Sequence, residues 1–313
     1  MEKELVVSTI SPTNIRRIDQ YLVQVYPDYS RAFFQKLIKS GAITVNQKKI
    51  KPDYSPHSGD KIKIIFPDQK VFFWEKSSLK LKILFEDNEI LVINKPSGIA
   101  VHPTGYSLNR SSVFGQSITI LDLLLDQYPA MSSGNWSRPG IVHRLDKGTS
   151  GVMVIAKTPS AQVKLMRQFA QRKVEKTYLG VVYGKFKEKN GIIEASLMRD
   201  INDRKKFCIG PGRFAVTKFK VKRSCSEYTL LEIKPVTGRT HQIRVHLTSI
   251  GHPLAGDPVY GRQRQLDLPP GIEQRLMLHA YKLQLFHPTT NKIVQFIAEL
   301  PEDFKQILSC LGL

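Results

Sequence analysis

Cysteine is nearly absent. The three in 313 residues, Cys208, Cys225 and Cys310, are odd in number and far apart. They make neither a disulfide framework nor a C-x-x-C zinc site, and ordinary reduced thiols fit a reducing compartment. No apolar run approaches the ~18 residues a membrane helix needs, so no membrane partner is expected. The opening Met1-Glu-Lys-Glu-Leu-Val-Val-Ser lacks the basic and apolar blocks of a signal peptide and the acid-poor character of a transit peptide. The expectation is a cytoplasmic protein. Repeats and low-complexity tracts are missing, as are the P-loop pattern, H-E-x-x-H, G-x-S-x-G and any close set of Cys and His ligands. Acidic residues are few beside basic ones: 27 Asp and Glu against 47 Lys and Arg, a formal charge of +20. An excess of that size points to a polyanionic partner, nucleic acid first.

Hydrophobic residues make up 41% and charged residues 24%, which supports a buried core over a length of roughly two domains. In the first stretch, Ile15, Ile18, Leu22 and Val25 recur at helical spacing. Ser30 stands as an N-cap for a second helix that turns Phe33, Phe34, Leu37 and Ile38 inward and stops at Gly41. Ile43 and Val45 alternate with polar residues before an Asn46-Gln47 turn, and Gly59-Asp60 leads into alternating Lys61-Ile-Lys-Ile-Ile. Two helices followed by short strands make a compact module over 1–66, and 67–80, with Phe72, Phe73 and Trp74, reads as a linker.

From Leu81 a new pattern starts. Ile83-Leu-Phe85, a turn at Glu86–Glu89 and Ile90-Leu-Val-Ile93 form a hairpin ending in Asn94-Lys-Pro-Ser-Gly98. Residues 104–118 are an irregular loop rich in Ser, Asn and Gly. Ile141-Val-His-Arg-Leu-Asp146-Lys-Gly-Thr-Ser-Gly151 is a polar, glycine-rich loop that enters the apolar strand Val152–Ala156. A helix capped by Ser160 follows, with Val163, Met166 and Ala170 on one side, then a strand through Thr177–Tyr183. A further strand, Tyr228–Ile233, runs into Pro235-Val-Thr-Gly238 and a helix from about Thr240. Ile243, Leu247 and Ile250 form its core stripe, and Gly251 ends it. The irregular alternation predicts an α+β domain over 81–313 with a mixed, largely antiparallel sheet. Residues 157–189 and 199–223 each hold nine basic and two acidic side chains, net +7, usable as phosphate-contacting surface.

Among the residues that could carry chemistry, His143 reads best as a loop or core histidine bonded to backbone; as a metal ligand beside Asp146 it lacks further carboxylates. Asp146 lies between Arg144 and Lys147, among glycines that leave room for a substrate. Neighbouring cations would keep it ionised and accepting, which suits a nucleophile. By pattern alone, a structural salt bridge explains it equally well.

Several ordered segments bear on that choice. His143-Arg-Leu-Asp146-Lys-Gly-Thr-Ser-Gly151 resembles the signature motif of RluA-type pseudouridine synthases. So do Leu84–Gly98 with Val101-His102-Pro103, then Glu175-Lys-Thr-Tyr178, Pro235-Val-Thr-Gly-Arg-Thr-His-Gln-Ile-Arg244-Val-His, and Gly251-His-Pro-Leu-Ala-Gly-Asp-Pro-Val-Tyr-Gly261. The first 66 residues, through Arg17–Leu22, Ser30–Gly41, Val45-Asn46 and Gly59-Asp60, are similar to the S4-like RNA-binding domain, with Arg31, Lys36 and Lys39 as its basic face. The resemblance implies a pseudouridine synthase fold and isomerisation of uridine in structured RNA, large-subunit ribosomal RNA first and transfer RNA second. A non-catalytic RNA-binding or ribosome-assembly protein is the rival from another class. The resemblance also implies Asp146 as nucleophile, Tyr178 stacking on the base and helping remove the carbon-5 proton, and Arg244 paired with Asp146. Arg144 would fill the gap left by the flipped uridine; His102, Arg239 and His241 would steady loops or touch RNA. No cofactor, metal or ATP is required, and nothing demands an oligomer, so a monomer is expected. The loop at 104–118 and the poorly matched Arg204–Arg213 would touch RNA flanking the target.

Overall fold

The structure, a computed structural model, describes residues 2–6, 17–26, 31–65, 80–102, 118–128, 131, 139–203, 206–261 and 265–313, without the side chains of residues 2–6, 32, 33 and 36. The expected cap Ser30, Ile15, the aromatics Phe72, Phe73 and Trp74, nearly all of the loop 104–118 and the pair Arg204-Lys205 lie outside the described residues. The chain divides into two compact units.

In the first, β1 (Glu2–Val6), β4 (Lys61–Ile65), β2 (Ile43–Val45) and β3 (Lys48–Lys49) form a four-stranded sheet in that order, beside α1 (Ile18–Val25) and α2 (Arg31–Lys39). Asn46 and Gln47 both take positive φ, 49° and 64°, the mirror-image turn that a two-residue hairpin between β2 and β3 requires. β4 alternates exposed and buried residues, and Ile62 and Ile64 join Ile18, Leu22, Phe34, Leu37, Ile38, Ile43 and Val45 in one core. Asp19 is fully buried and binds three side chains: Arg17 at the start of α1, and Arg31 and Gln35 on α2.

The second unit is built on a ten-stranded sheet. Its order is β10 (Phe207–Ile209), β9 (Asn190–Arg199), β11 (Arg213–Ser224), β12 (Tyr228–Pro235), β8 (Glu175–Tyr183), β13 (Leu278–Phe286), β7 (Ser150–Ala156), β6 (Ile90–Lys95) and β5 (Lys82–Glu86), with β14 (Ile293–Ile297) on β13. Among the described strands of this sheet only β13 and β7 pair in parallel and the others pair antiparallel, so the sheet is mixed and largely antiparallel. All seven residues of β7 are buried, as a central strand covered on both faces demands. At the parallel pairing Gly151 takes φ +118°, and a β-carbon there would run into the Ala280 backbone, so the signature loop enters the sheet on a residue that only glycine can supply.

Three local expectations differ from what is found. α4 (Pro159–Ala170) is capped by Thr158, whose hydroxyl accepts from the Ala161 N–H at 3.1 Å, because Pro159 fits the first helical position and leaves Ser160 inside the helix. Its buried face is Ala161, Gln162 and Leu165, while Val163, Met166 and Ala170 are exposed. Gln162 turns inward because its side-chain oxygen accepts from the Gly140 N–H at 3.0 Å. α5 (Gln242–Ser249) buries Ile243 and Leu247, but Ile250 falls in the terminal turn beside Gly251 and is 41% exposed. α3 (Ile120–Gln127) and α6 (Glu302–Cys310) complete the elements, and Phe304, Ile307 and Leu308 of α6 pack with Val181 and Met277.

Candidate active site

The loop before β7 is fixed by chain neighbours of the β5–β6 hairpin. Lys95, fully buried at the end of β6, donates to the carbonyls of Pro96 (2.8 Å), Ile99 (2.7 Å) and Lys147 (3.3 Å). Ser97 donates to the Gly148 carbonyl at 2.7 Å, and the Gly98 N–H to that of Lys147 at 2.9 Å. Two loops 50 residues apart in sequence thus share one set of hydrogen bonds, and Asp146 sits at their junction. Burial pulls the Lys95 ammonium down to about 7, the nearby Arg275 acts in the same direction and Asp146 opposes both.

Asp146 faces a cavity of about 400 Å³ with its side chain 20% exposed. Its Oδ2 accepts from Arg244 Nη1 at 3.2 Å, and His241 Nε2 stands 4.0 Å away. The Arg244 guanidinium is itself anchored. Its Nε and Nη2 donate to the two oxygens of buried Asp257, both at 2.8 Å, and its Cζ lies over the Tyr260 ring, 4.9 Å from the centroid. Burial alone would raise the Asp257 carboxyl; Arg244, helped by the Val259 and Tyr260 N–H groups, holds it below the ordinary range. Tyr260 Oη accepts from the Phe207 N–H at 2.8 Å and lies 2.9 Å from His241 Nδ1. Burial lowers the His241 pKa, which favours the neutral imidazole beside Asp146 and Tyr260.

The remaining expected residues fall in different places. Tyr178 lines the same cavity from β8, its hydroxyl held protonated far above the ordinary phenol range by burial and then by the charge of Asp146. Arg144 is exposed at the cavity edge, 3.1 Å from Nε2 of buried His102. Arg239 also lines the cavity and reaches the Phe214 carbonyl at 3.5 Å. The cation that touches Asp146 is therefore Arg244, from α5, and neither sequence neighbour, Arg144 nor Lys147, takes that position. His143 is a core histidine bonded to backbone: its Nε2 accepts from the Val154 N–H at 3.1 Å, its ring stacks on Phe169, and burial holds it neutral, down to about 3. Of the expected basic face in the first unit, Arg31 pairs with Asp19 at 3.0 Å, Lys39 is exposed, and the Lys36 side chain lies outside the described residues. Among the described residues, no group of three or more His, Cys, Asp or Glu side chains is placed to hold a metal.

The sequence left Asp257, Tyr260 and Lys176 without roles, although all three stand inside the quoted segments; it also gave nothing to Phe207, in the poorly matched stretch. The alternation along β8 could have pointed to Lys176, two residues before Tyr178 and on the same face.

Residues 89–249 match the family described as RNA pseudouridylate synthase, and residues 16–62 match the S4 domain. The chain belongs to the RNA pseudouridine synthase family. A protein of Aquifex aeolicus, named as an uncharacterized RNA pseudouridine synthase, is 40% identical over 305 residues, 94% of this chain and 93% of its own. Ribosomal large subunit pseudouridine synthase D of Pasteurella multocida is 37% identical over 95% of this chain and 91% of its own, and that of Pseudomonas aeruginosa 38% over 95% and 92%. In solved structures, human RNA pseudouridylate synthase domain containing 4 superposes with a TM-score of 0.56 at 28% identity, over 74% of this chain and 93% of that one.

Proposed function

We propose that this enzyme converts specific uridines of large-subunit ribosomal RNA to pseudouridine, with Asp146 as its nucleophile. The observation that carries the assignment is the partly open Asp146 carboxylate, aimed into a cavity of the size that takes one base, and held by an arginine whose other side is locked to Asp257. Arg244 keeps the carboxylate oriented. Tyr178 stacks on the base; its protonated hydroxyl suits hydrogen-bond donation better than removal of the carbon-5 proton. Arg144, exposed at the cavity edge, fills the space vacated by the flipped nucleotide, where a guanidinium can stack and hydrogen-bond at once. The choice of ribosomal RNA rests on relatives that carry that substrate in their names and match nearly the whole chain. Residues 1–66 serve as the RNA-binding module, 67–80 as linker and 81–313 as catalytic domain, in a monomer acting in the cytoplasm.

The test is tritium release from unmodified ribosomal RNA labelled at carbon 5 of its uridines. Wild type is expected to release tritium and Asp146→Asn to release none while binding the RNA within twofold of wild type. Release from transfer RNA alone would move the substrate class. No release from either RNA would favour the RNA-binding rival.

A further inference from the structure

Lys176 brings a cation into the catalytic cavity that no carboxylate among the described residues neutralises. It lies on β8 two residues before Tyr178, so both side chains leave the same face of the strand, roughly 7 Å apart along it. Its ammonium donates to the Thr237 carbonyl at 3.4 Å, at the outer limit of a hydrogen bond, and a β-carbon on Gly238 would lie 3.7 Å from it. Among the described residues, Asp146 is the one acidic side chain that lines the cavity, and it is engaged by Arg244. The other charged or titratable groups on the cavity wall, His143, Arg144, Arg172, Arg239 and His241, are basic, and Tyr178 is a protonated phenol. Burial alone brings the Lys176 ammonium down to about 8, and its charge in turn lowers His143. A half-buried lysine with one long hydrogen bond and no carboxylate partner among the described residues costs stability, a cost tolerated where a ligand supplies the missing anion.

Two anions come near this cavity: the phosphates of the RNA, which are permanent, and the base, which becomes one during reaction. When the C1′–N1 bond breaks, its electron pair stays on the uracil and spreads from N1 to O2 and O4. The pair returns through carbon 5 as C1′–C5 forms; the proton lost from carbon 5 is balanced by one gained at N1. Addition of a nucleophile at carbon 6 also places negative charge on O4. Every route therefore places transient negative charge on the carbonyl oxygens of the base. Lys176 and Tyr178 leave the same face of β8 into the cavity that Asp146 faces, and Lys176 is half-buried there, whereas Arg144 on the same wall is exposed. We propose that Lys176 is a further catalytic residue, donating from its ammonium to a carbonyl oxygen of the uracil and stabilising the negative charge on the detached base. The assignment rests on the pseudouridylation reading above.

Single-turnover kinetics on the unmodified ribosomal RNA, with affinity measured separately, test it in the full-length enzyme. Lys176→Met is expected to lower the rate constant at saturating RNA about 100-fold, the loss typical of one donor aimed at developing charge, with Kd within twofold of wild type. Lys176→Arg should recover at least a tenth of the wild-type rate. The wild-type rate should fall as pH rises through about 8, a limb that Lys176→Met lacks. A Lys176→Met rate within threefold of wild type overturns the proposal. So does lost affinity with an intact saturated rate, which identifies a phosphate contact. Equal losses in both variants with a lowered Tm identify a framework role and also overturn it. An inactive wild type on ribosomal and transfer RNA would instead sink the pseudouridylation reading, and this proposal with it.

Discussion

Arg244 is shared by two carboxylates of different character. Asp257 is fully buried and takes the two shorter, parallel bonds, while Asp146 is partly open and takes one bond at 3.2 Å. The guanidinium is thus fixed by Asp257 and offers its remaining edge to the carboxylate that must stay available. Asp257→Asn keeps the shape but removes the charge that holds the fork, and Arg244 is then free to close on Asp146. We expect kcat to fall about 10- to 100-fold with KM for RNA nearly unchanged, since a displacement of about 1 Å at the reacting atoms costs on that order. Breaking a buried pair should also cost about 3 kcal/mol of stability. Steady-state kinetics at 25 °C with a parallel Tm measurement check both, and a changed KM with intact kcat would contradict the positioning role. At this scale the sequence made Asp146, Tyr178 and Arg244 legible because a motif quoted them. Asp257 and Tyr260 were silent: their work is done on another side chain, and only the return of the Gly251–Gly261 segment against α5 shows it.

Between elements, polar ties decide the geometry where apolar patterning does not. α1 and α2 are short helices joined through Asp19, whose carboxyl burial would raise; the bonds from Arg17, Gln35 and Arg31 reverse that and bring it down to about 2. A carboxyl depressed below its ordinary 3.8 stabilises the fold above that value and loses the contribution as pH falls toward 2. The contribution at neutral pH is about 2 kcal/mol. Asp19→Asn, which mimics the protonated form, should therefore lower the Tm of the first unit at pH 7, and the difference from wild type should shrink through pH 4 and vanish near 2. A difference constant with pH would mean that shape, not charge, joins the helices. The strands were readable from alternation and the hairpin turns from Asn46-Gln47 and Asp87, whose carboxylate accepts from the Glu89 and Ile90 N–H groups at 2.8 Å each. The helix faces were less so. Apolar spacing on α4 gave Val163, Met166 and Ala170, whereas the hydrogen bond from Gly140 to Gln162 rotates the helix the other way.

Across the whole molecule, the excess of +20 is distributed rather than local, and it divides between the two parts of the proposed interface. Residues 157–189 and 199–223 supply net +7 each on the unit that carries the cavity, while residues 1–66 hold eleven basic and six acidic side chains. Within that module not every cation is available to RNA: Arg17 and Arg31 are taken by Asp19, while among the described residues Lys39, Lys48, Lys49, Lys51, Lys61 and Lys63 are exposed. If about four of these meet phosphates, removing residues 1–66 should make the log–log salt dependence of RNA affinity less steep by about 3. Affinity should drop most at low salt and converge with that of the full chain as salt rises, because only the counterion-release contribution is lost. The remaining unit still holds Asp146, Arg244 and the cavity, so it should keep residual tritium release at low salt. Affinity titrations from 50 to 300 mM salt on both forms provide the check. Parallel lines offset by a constant factor would mean that the module binds RNA through shape or bases; coincident lines would mean that it does not bind RNA at all, leaving recognition to the basic strands around the cavity.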